Sequence, residues 1–229
     1  MLLELATALA GLTADVTATA HPDGSVTVTE QVTTGTPATH RIALRVATTD
    51  DEDRVYTVRD ARLTGSGHLD EDSDGLVATY TGPATLSYTV DGAVAGGGQL
   101  RWQVTGGWDA DLTRLTTAFS APGISTVDCY AGAIGSARHC TFSELGAGGI
   151  ARVEQDGLRR GERVDLAVEI PPGALPANAR FVAVSPVADF FKGPGIPVLA
   201  LVLLLIAAVP TWLHRRRGKN RCEVLSHGY

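Results

Sequence analysis

The chain has 229 residues, with 19 Lys and Arg against 25 Asp and Glu and 44% hydrophobic residues, enough for one sizeable domain plus further segments. The charge divides unevenly: residues 1–213 carry 14 basic and 24 acidic side chains, whereas residues 214–229 carry five basic and one acidic. An acidic body repels a phosphate backbone, which argues against nucleic acid as its partner, and a tail of opposite sign implies two environments rather than one soluble body.

Residues 1–14, MLLELATALAGLTA, join an apolar run to an Ala-rich end and are read as an export signal cleaved after Ala14. The signal is weak, because it has no basic start and Glu4 interrupts the run. Short alternating runs then follow one another. VTATA and SVTVTEQV flank HPDG, and Asp23-Gly24 is a strong hairpin signal. Within SVTVTEQV, Val26, Val28 and Val32 are assigned to one face, and Glu30 with the threonines to the other. RIALRV, VYTVRDARL, LVATY, TLSYTV, QLRWQV, LTRLTTAF, RVDLAVEI and RFVAVS continue the pattern. Their β-branched residues suit a pleated sheet, and Gly, Pro, Asp and Asn punctuate them at strand-like intervals. The expected fold class is mostly β: an antiparallel β-sandwich over residues 15–186, not βαβ units.

Several clusters along this domain bear on chemistry. DEDSDG matches the front of a calcium loop, with Asp70, Asp72 and Asp74 at alternating ligand positions and Gly75 at the sharp turn. The twelfth position is Thr81 instead of a bidentate Glu, and the flanks read as strands, so a solvated acidic hairpin turn is the preferred reading and calcium the alternative. DDED at 50–53 is a second acidic loop. Gly96-Gly97-Gly98 lacks the Lys-Ser/Thr of a phosphate cradle and reads as a hairpin loop. Trp102 and Trp108 sit in an alternating run and are expected to fill the core, with a ligand-stacking platform as the alternative. CYAGAIGSARHC brings Cys129 and Cys140 together with His139 and leaves three readings: a disulfide, a metal site or a reactive thiol.

The choice depends on the compartment, which the C-terminal region addresses. Residues 187–194 read as a stalk. Residues 195–213, GIPVLALVLLLIAAVPTWL, carry no charge, and a helix of that length spans about 28 Å, close to a bilayer core. Arg215, Arg216, Arg217, Lys219 and Arg221 follow at once, against Lys192 alone on the other flank. The positive-inside rule then puts residues 214–229 in the cytoplasm and the β domain outside, at the cell membrane. The basic tail is a stop-transfer flank that can also hold anionic lipid headgroups. Outside the cytoplasm oxidation is permitted, so a Cys129–Cys140 disulfide is the preferred reading; Cys222 falls on the opposite side. A metal site would lack both a close cysteine pair and an evident fourth ligand.

DGSVTVTEQVT, HRIALRV, LRWQVTGGWDADLTRLTTAFSAPG and the two-cysteine loop occur in an order that resembles bacterial membrane proteins of the domain of unknown function 2207 family. The resemblance covers roughly residues 15–185, and Trp102, Gly106, Trp108 and the cysteine loop are its most specific parts. It implies an exported β domain ahead of a membrane region, and no defined reaction. The single expected span and short basic tail depart from members with more spans and a Gly-rich C-terminus.

The expected function is therefore a single-pass membrane protein whose outer domain binds or scaffolds an envelope protein or glycan, without a cofactor. Two alternatives stay open. One is a cation-stabilised, adhesion-like module using Asp70, Asp72 and Asp74. The other is an envelope hydrolase whose site is assembled from distant residues, since no nucleophile elbow or local carboxylate pair is legible.

Overall fold

Alternation of small apolar and polar side chains makes the first two strands a hairpin with one wet and one dry face. In the computed structural model, which describes residues 11–48, 52–72 and 75–184, β1 (Thr13–Ala20) and β2 (Val26–Thr33) pair antiparallel. Gly24, at φ 84°, closes the turn by donating its N–H to the His21 carbonyl at 2.9 Å. The Asp23 carboxylate accepts from the Ser25 amide at 2.9 Å, the bond that makes Asp-Gly a turn signal. Thr13 and Ala14, the last two residues of the expected leader, lie inside β1, and Ala14 pairs with Val32 and Leu115. Cleavage after Ala14 would remove both from the sheet.

The remaining strands are β3 (Ala38–Ala43), β4 (Arg45–Ala47), β5 (Glu52–Val55), β6 (Thr57–Asp72), β7 (Gly75–Asp91), β8 (Gln99–Gly106), β9 (Leu112–Ser120), β10 (Thr126–Gly132), β11 (Phe142–Leu145), β12 (Ile150–Leu158), β13 (Arg163–Glu169) and β14 (Arg180–Ala183). The described residues are mostly strand, as expected. The chain divides into two compact units, Met1–Val182 and Ala183–Tyr229. The first holds β1–β13; of the second, only Ala183 and Val184 are described. Among the described residues no helix is long and apolar enough to cross a membrane. The expected stalk, span and basic tail, with Arg215, Arg216, Arg217, Lys219 and Arg221, lie outside the described residues.

An eight-stranded sheet runs β11-β12-β9-β1-β2-β7-β3, with β6 on the other edge of β7. Three-stranded sheets β10-β13-β8 and β14-β5-β4 complete the architecture. The expectation of purely antiparallel pairing fails at one place: β1 and β9 are parallel. The chain leaves the large sheet after β7, runs through β8 in the smaller sheet and returns as β9, the long crossover that parallel neighbours require. Gly96–Gly98 form the 3-10 turn of that passage. A single bridge, Val94 to Leu100, spans it, so the glycines form a local hairpin although β7 and β8 belong to different sheets.

LVATY and TLSYTV, read as two strands, are one. β7 continues through Thr81-Gly82-Pro83. Its pairing with β3 ends at Tyr80 and that with β2 begins at Ala84, while the β6 register shifts between Gly65 and Gly67. Pro83 therefore sits where neither neighbour needs an N–H, and the missing donor costs no ladder bond. β6 is a 16-residue edge strand, interrupted by two register shifts and by Asp60 at φ 58°. Such irregularities disfavour pairing with another chain.

The inner faces of the large sheet and of β8-β13-β10 share one core. Tyr88 of β7 meets Trp102 of β8 at 6.5 Å between ring centroids. A void of about 10 Å³ between them, bordered by His40, Tyr88, Trp102 and Val104, is no larger than a water. Trp102 and Trp108 are both core residues, each 2% exposed.

Glu30 corrects the face assignment within β2. Period two puts it with Val28 and Val32, and it is fully buried. A lone buried carboxylate is costly, and His40 of β3 approaches it at 3.1 Å, Nδ1 to Oε2, without forming a hydrogen bond. The His40 ring stacks on Trp108 at 4.5 Å and 11°, and Trp108 donates Nε1–H to Thr105 Oγ1 at 2.7 Å. Burial, and then the charge of Glu30, push the Tyr80 and Tyr88 phenols far above the usual tyrosine range, so both stay neutral. Removing one member of a buried pair leaves the other uncompensated. His40→Ala removes a buried ring stacked on Trp108 as well as the neighbour of Glu30, and should therefore cost about 2–5 kcal/mol in denaturant unfolding of the detergent-purified chain. Joint replacement by Glu30→Leu and His40→Leu should cost less than either single change; a double loss equal to the sum of the singles would contradict this coupling.

Candidate functional site

The central strand of the smaller sheet departs from alternation. Arg163, Val164, Asp165 and Leu166 of β13 are all buried. Val164 and Leu166 join the core, while Arg163 and Asp165 lie against the opposite side, so something covers the outer face as well. The cover includes the cysteine loop. Cys129 of β10 is fully buried, and its disulfide to Cys140 joins Cα atoms 5.4 Å apart. The Cys140 N–H donates to the Cys129 carbonyl at 3.1 Å and the Ala131 N–H to the Arg138 carbonyl at 2.8 Å, so the loop is a short hairpin. Ser136 Oγ and Arg138 Nε both donate to the Ala131 carbonyl, at 2.9 and 3.2 Å. At the tip, Ile134 is 72% exposed. His139 packs against Tyr130, with ring centroids 5.0 Å apart. Both sulfurs are committed to the cross-link, so neither Cys129 nor Cys140 offers a thiolate to a metal or to nucleophilic chemistry.

Between this loop, the floor of β8 and β13, and Ala47-Thr48 at the end of β4 lies an open cleft of about 510 Å³. A smaller hollow of about 200 Å³, reaching Arg41 and Arg45, shares Ala47, Ile134 and Arg163 with it. On the floor, Asp165 Oδ2 stands 3.3 Å from Arg163 Nε and 3.9 Å from Arg101 Nη2. Burial raises the Asp165 pKa above the ordinary carboxylate value, and the two arginines act in the opposite direction. Gly106 makes room for this arrangement, since a Cβ there would lie 2.8 Å from the Arg163 Cβ. A register shift between Val164 and Asp165 falls at the same spot.

The acidic motif lies elsewhere, at the β6–β7 turn. Asp70 faces His68 Nε2 at 3.3 Å. Asp72 accepts from Arg41 Nη1 at 2.8 Å and from the Gly75 amide at 3.1 Å, the geometry of a polar hairpin turn. Asp74 is outside the described residues. A calcium ion at this turn would have to displace the Arg41 and His68 contacts, so the described carboxylates do not fit a preformed cation cage. Among the described residues no three His, Cys, Asp or Glu side chains converge in a metal-binding arrangement. Arg101, Arg163 and Asp165 were missed by the sequence reading. In QLRWQV and RVDLAVEI they fall on the polar side of alternating strands, which reads as solvated surface.

Cys129→Ser should release the loop. On the chain-entropy account, losing a cross-link around so short a loop costs about 3 kcal/mol. The expected result is a lower melting temperature for the variant and a Cys129–Cys140 peptide in non-reduced mass mapping of the native chain. Two alkylatable thiols in the native protein would contradict the bridge.

No curated protein matches the chain. Among solved structures, it is similar to a two-domain M1 zinc metallopeptidase bound to L-arginine, at 12% identity and a TM-score of 0.30, covering 70% of this chain and 42% of that one. It is similar also to an M1 zinc metallopeptidase from Deinococcus radiodurans, at 13% identity and a TM-score of 0.29, covering 68% and 42%. The chain thus spans less than half the length of either peptidase, and likenesses this distant carry nothing about activity. The profile described as the N-terminal domain of predicted membrane proteins, DUF2207, matches residues 12–170, from the start of β1 to the end of β13, and the chain belongs to that family.

Proposed function

We propose that the chain is a single-pass membrane protein that presents a β-sandwich outside the cytoplasm as a binding or scaffolding module of the cell envelope, with the cleft beside the cysteine loop as its contact surface. The observation that carries this reading is the Cys129–Cys140 cross-link, which walls the cleft and which forms and persists in an oxidising compartment. The uncharged residues 195–213 and the basic residues after them support the same orientation. A signal within residues 1–14 would supply export, and the basic tail would rest on anionic lipid. The exposed Ile134 gives the cleft a rigid apolar edge, the kind of anchor that binding surfaces use.

The adhesion-like alternative has less support, because Asp70 and Asp72 are engaged by His68 and Arg41. The hydrolase alternative also has less, because the Ser136 hydroxyl in the cleft wall donates to a backbone carbonyl and Asp165 faces two arginines rather than a nucleophile.

The test combines topology with contact. A reporter enzyme active only outside the cytoplasm should work when fused after Ser185 and stay silent after Tyr229. In intact cells, a photo-crosslinking side chain at Ile134 should trap an envelope component, and the same group at Thr17 should not. The reverse reporter pattern, or equal trapping at both positions, would overturn the proposal.

A further inference from the structure

The cleft floor is not electrically balanced. Around the rim each arginine has an acid of its own: Arg41 with Asp72, Arg45 with Asp53 and Arg138 with Glu162. On the floor two guanidinium groups, Arg101 and Arg163, face a single carboxylate oxygen of Asp165. Among the described residues one positive charge is therefore in excess, in a place partly shielded from water.

Neither arginine is fully used. The Arg163 side chain is 10% exposed, and its Nε meets Asp165 without forming a hydrogen bond. Arg101 is 39% exposed at the side chain and stands 3.9 Å from Asp165, beyond hydrogen-bond length, so its planar fork is open to another acceptor. Beside this charge lies an apolar wall of Ile134, Ala137 and Ala47, with the Tyr130 ring. The wall is held in place by the disulfide and by the Ser136 and Arg138 bonds to Ala131. The volume of about 510 Å³ lies within the range of small-ligand sites, about 300–1,000 Å³.

We infer that this cleft is an anion site for a monocarboxylate carried on an apolar body, with the carboxylate taken by Arg101 and Arg163 and the body laid against Ile134 and Tyr130. The inference rests on the reading of the cleft as a binding surface. The charge count selects the ligand. One excess positive charge matches a single carboxylate, a phosphate dianion would add repulsion from Asp165, and a cation would meet the excess directly. A carboxylate also matches the guanidinium fork, two N–H donors to two oxygens.

Benzoate is the simplest probe of that chemistry. Titrated into the full-length chain in detergent and followed by saturation-transfer NMR, it should bind saturably. Benzamide, of the same shape without the charge, should bind roughly tenfold or more weakly, the loss expected for one charge-assisted contact. Phenyl phosphate should bind more weakly than benzoate. Arg101→Gln should weaken benzoate by a similar factor and leave the melting temperature unchanged, since Arg101 lies on the outer face. Ile134→Ser should weaken benzoate and benzamide alike. Equal binding of benzoate and benzamide, tighter binding of phenyl phosphate, or no response to Arg101→Gln would each overturn the assignment. These measurements use purified protein and do not depend on which side of a membrane the domain occupies. Failure of the reporter and crosslinking test alone would remove the envelope role and leave the anion site, and the converse pattern would do the opposite.

Discussion

The covalent tie from Cys129 to Cys140 fixes the hairpin that stands over the smaller sheet, and the character of the cleft depends on it. Cys129 is anchored in the core opposite Leu166, so one end of the cross-link moves only with the sheet. The other end starts the chain toward β11 and cannot drift while the bond holds. Between them, the Ala131 carbonyl accepts from both Ser136 and Arg138 and folds the tip into a set shape. Without such ties a loop rich in Gly and Ala would sample many conformations. With them, an exposed isoleucine and two half-used arginines are held facing one space.

The large sheet sets the platform on which this rests. Its inner face carries mostly alanine and valine on β1 and β2, and aromatic residues where it meets β8. The one acidic intrusion, Glu30, is answered by His40 and by the Trp108 ring stacked on it. This cluster links β2, β3 and the segment after β8. Polar groups in a low dielectric tolerate little displacement, so the cluster constrains how these elements meet.

Much of this architecture was legible in the sequence, for reasons that can be named. Asp23-Gly24 and the alternating valines specified the first hairpin, because turn chemistry and period-two patterning are local. The disulfide followed from an even cysteine pair once the charge-free segment and its basic flank were read as placing the domain outside the cytoplasm. The burial of Trp102 and Trp108 followed from their place in an alternating run. What failed depended on partners distant in sequence. LVATY and TLSYTV read as two strands, and β7 runs through the Pro83 between them because two neighbours change over at that point. Glu30 is assigned to the wet face because it is charged, although its parity with Val28 already places it inside; its polar neighbour there, His40, is supplied by β3 and is not legible locally. Arg101, Arg163 and Asp165 looked like solvated surface, because no local pattern announces that a loop distant in the chain will cover them. The parallel pairing of β1 with β9 has no local signature either.

Amide hydrogen exchange on the full-length chain, with and without reductant, tests most directly whether the cross-link holds the cleft wall in place. The Ala131, Ser136 and Cys140 amides donate within the loop and should be protected in the oxidised protein. On reduction they should lose most of that protection, while the β1–β2 hairpin keeps its own. Unchanged protection of the loop after reduction would show that the wall stands without its disulfide and would contradict the account.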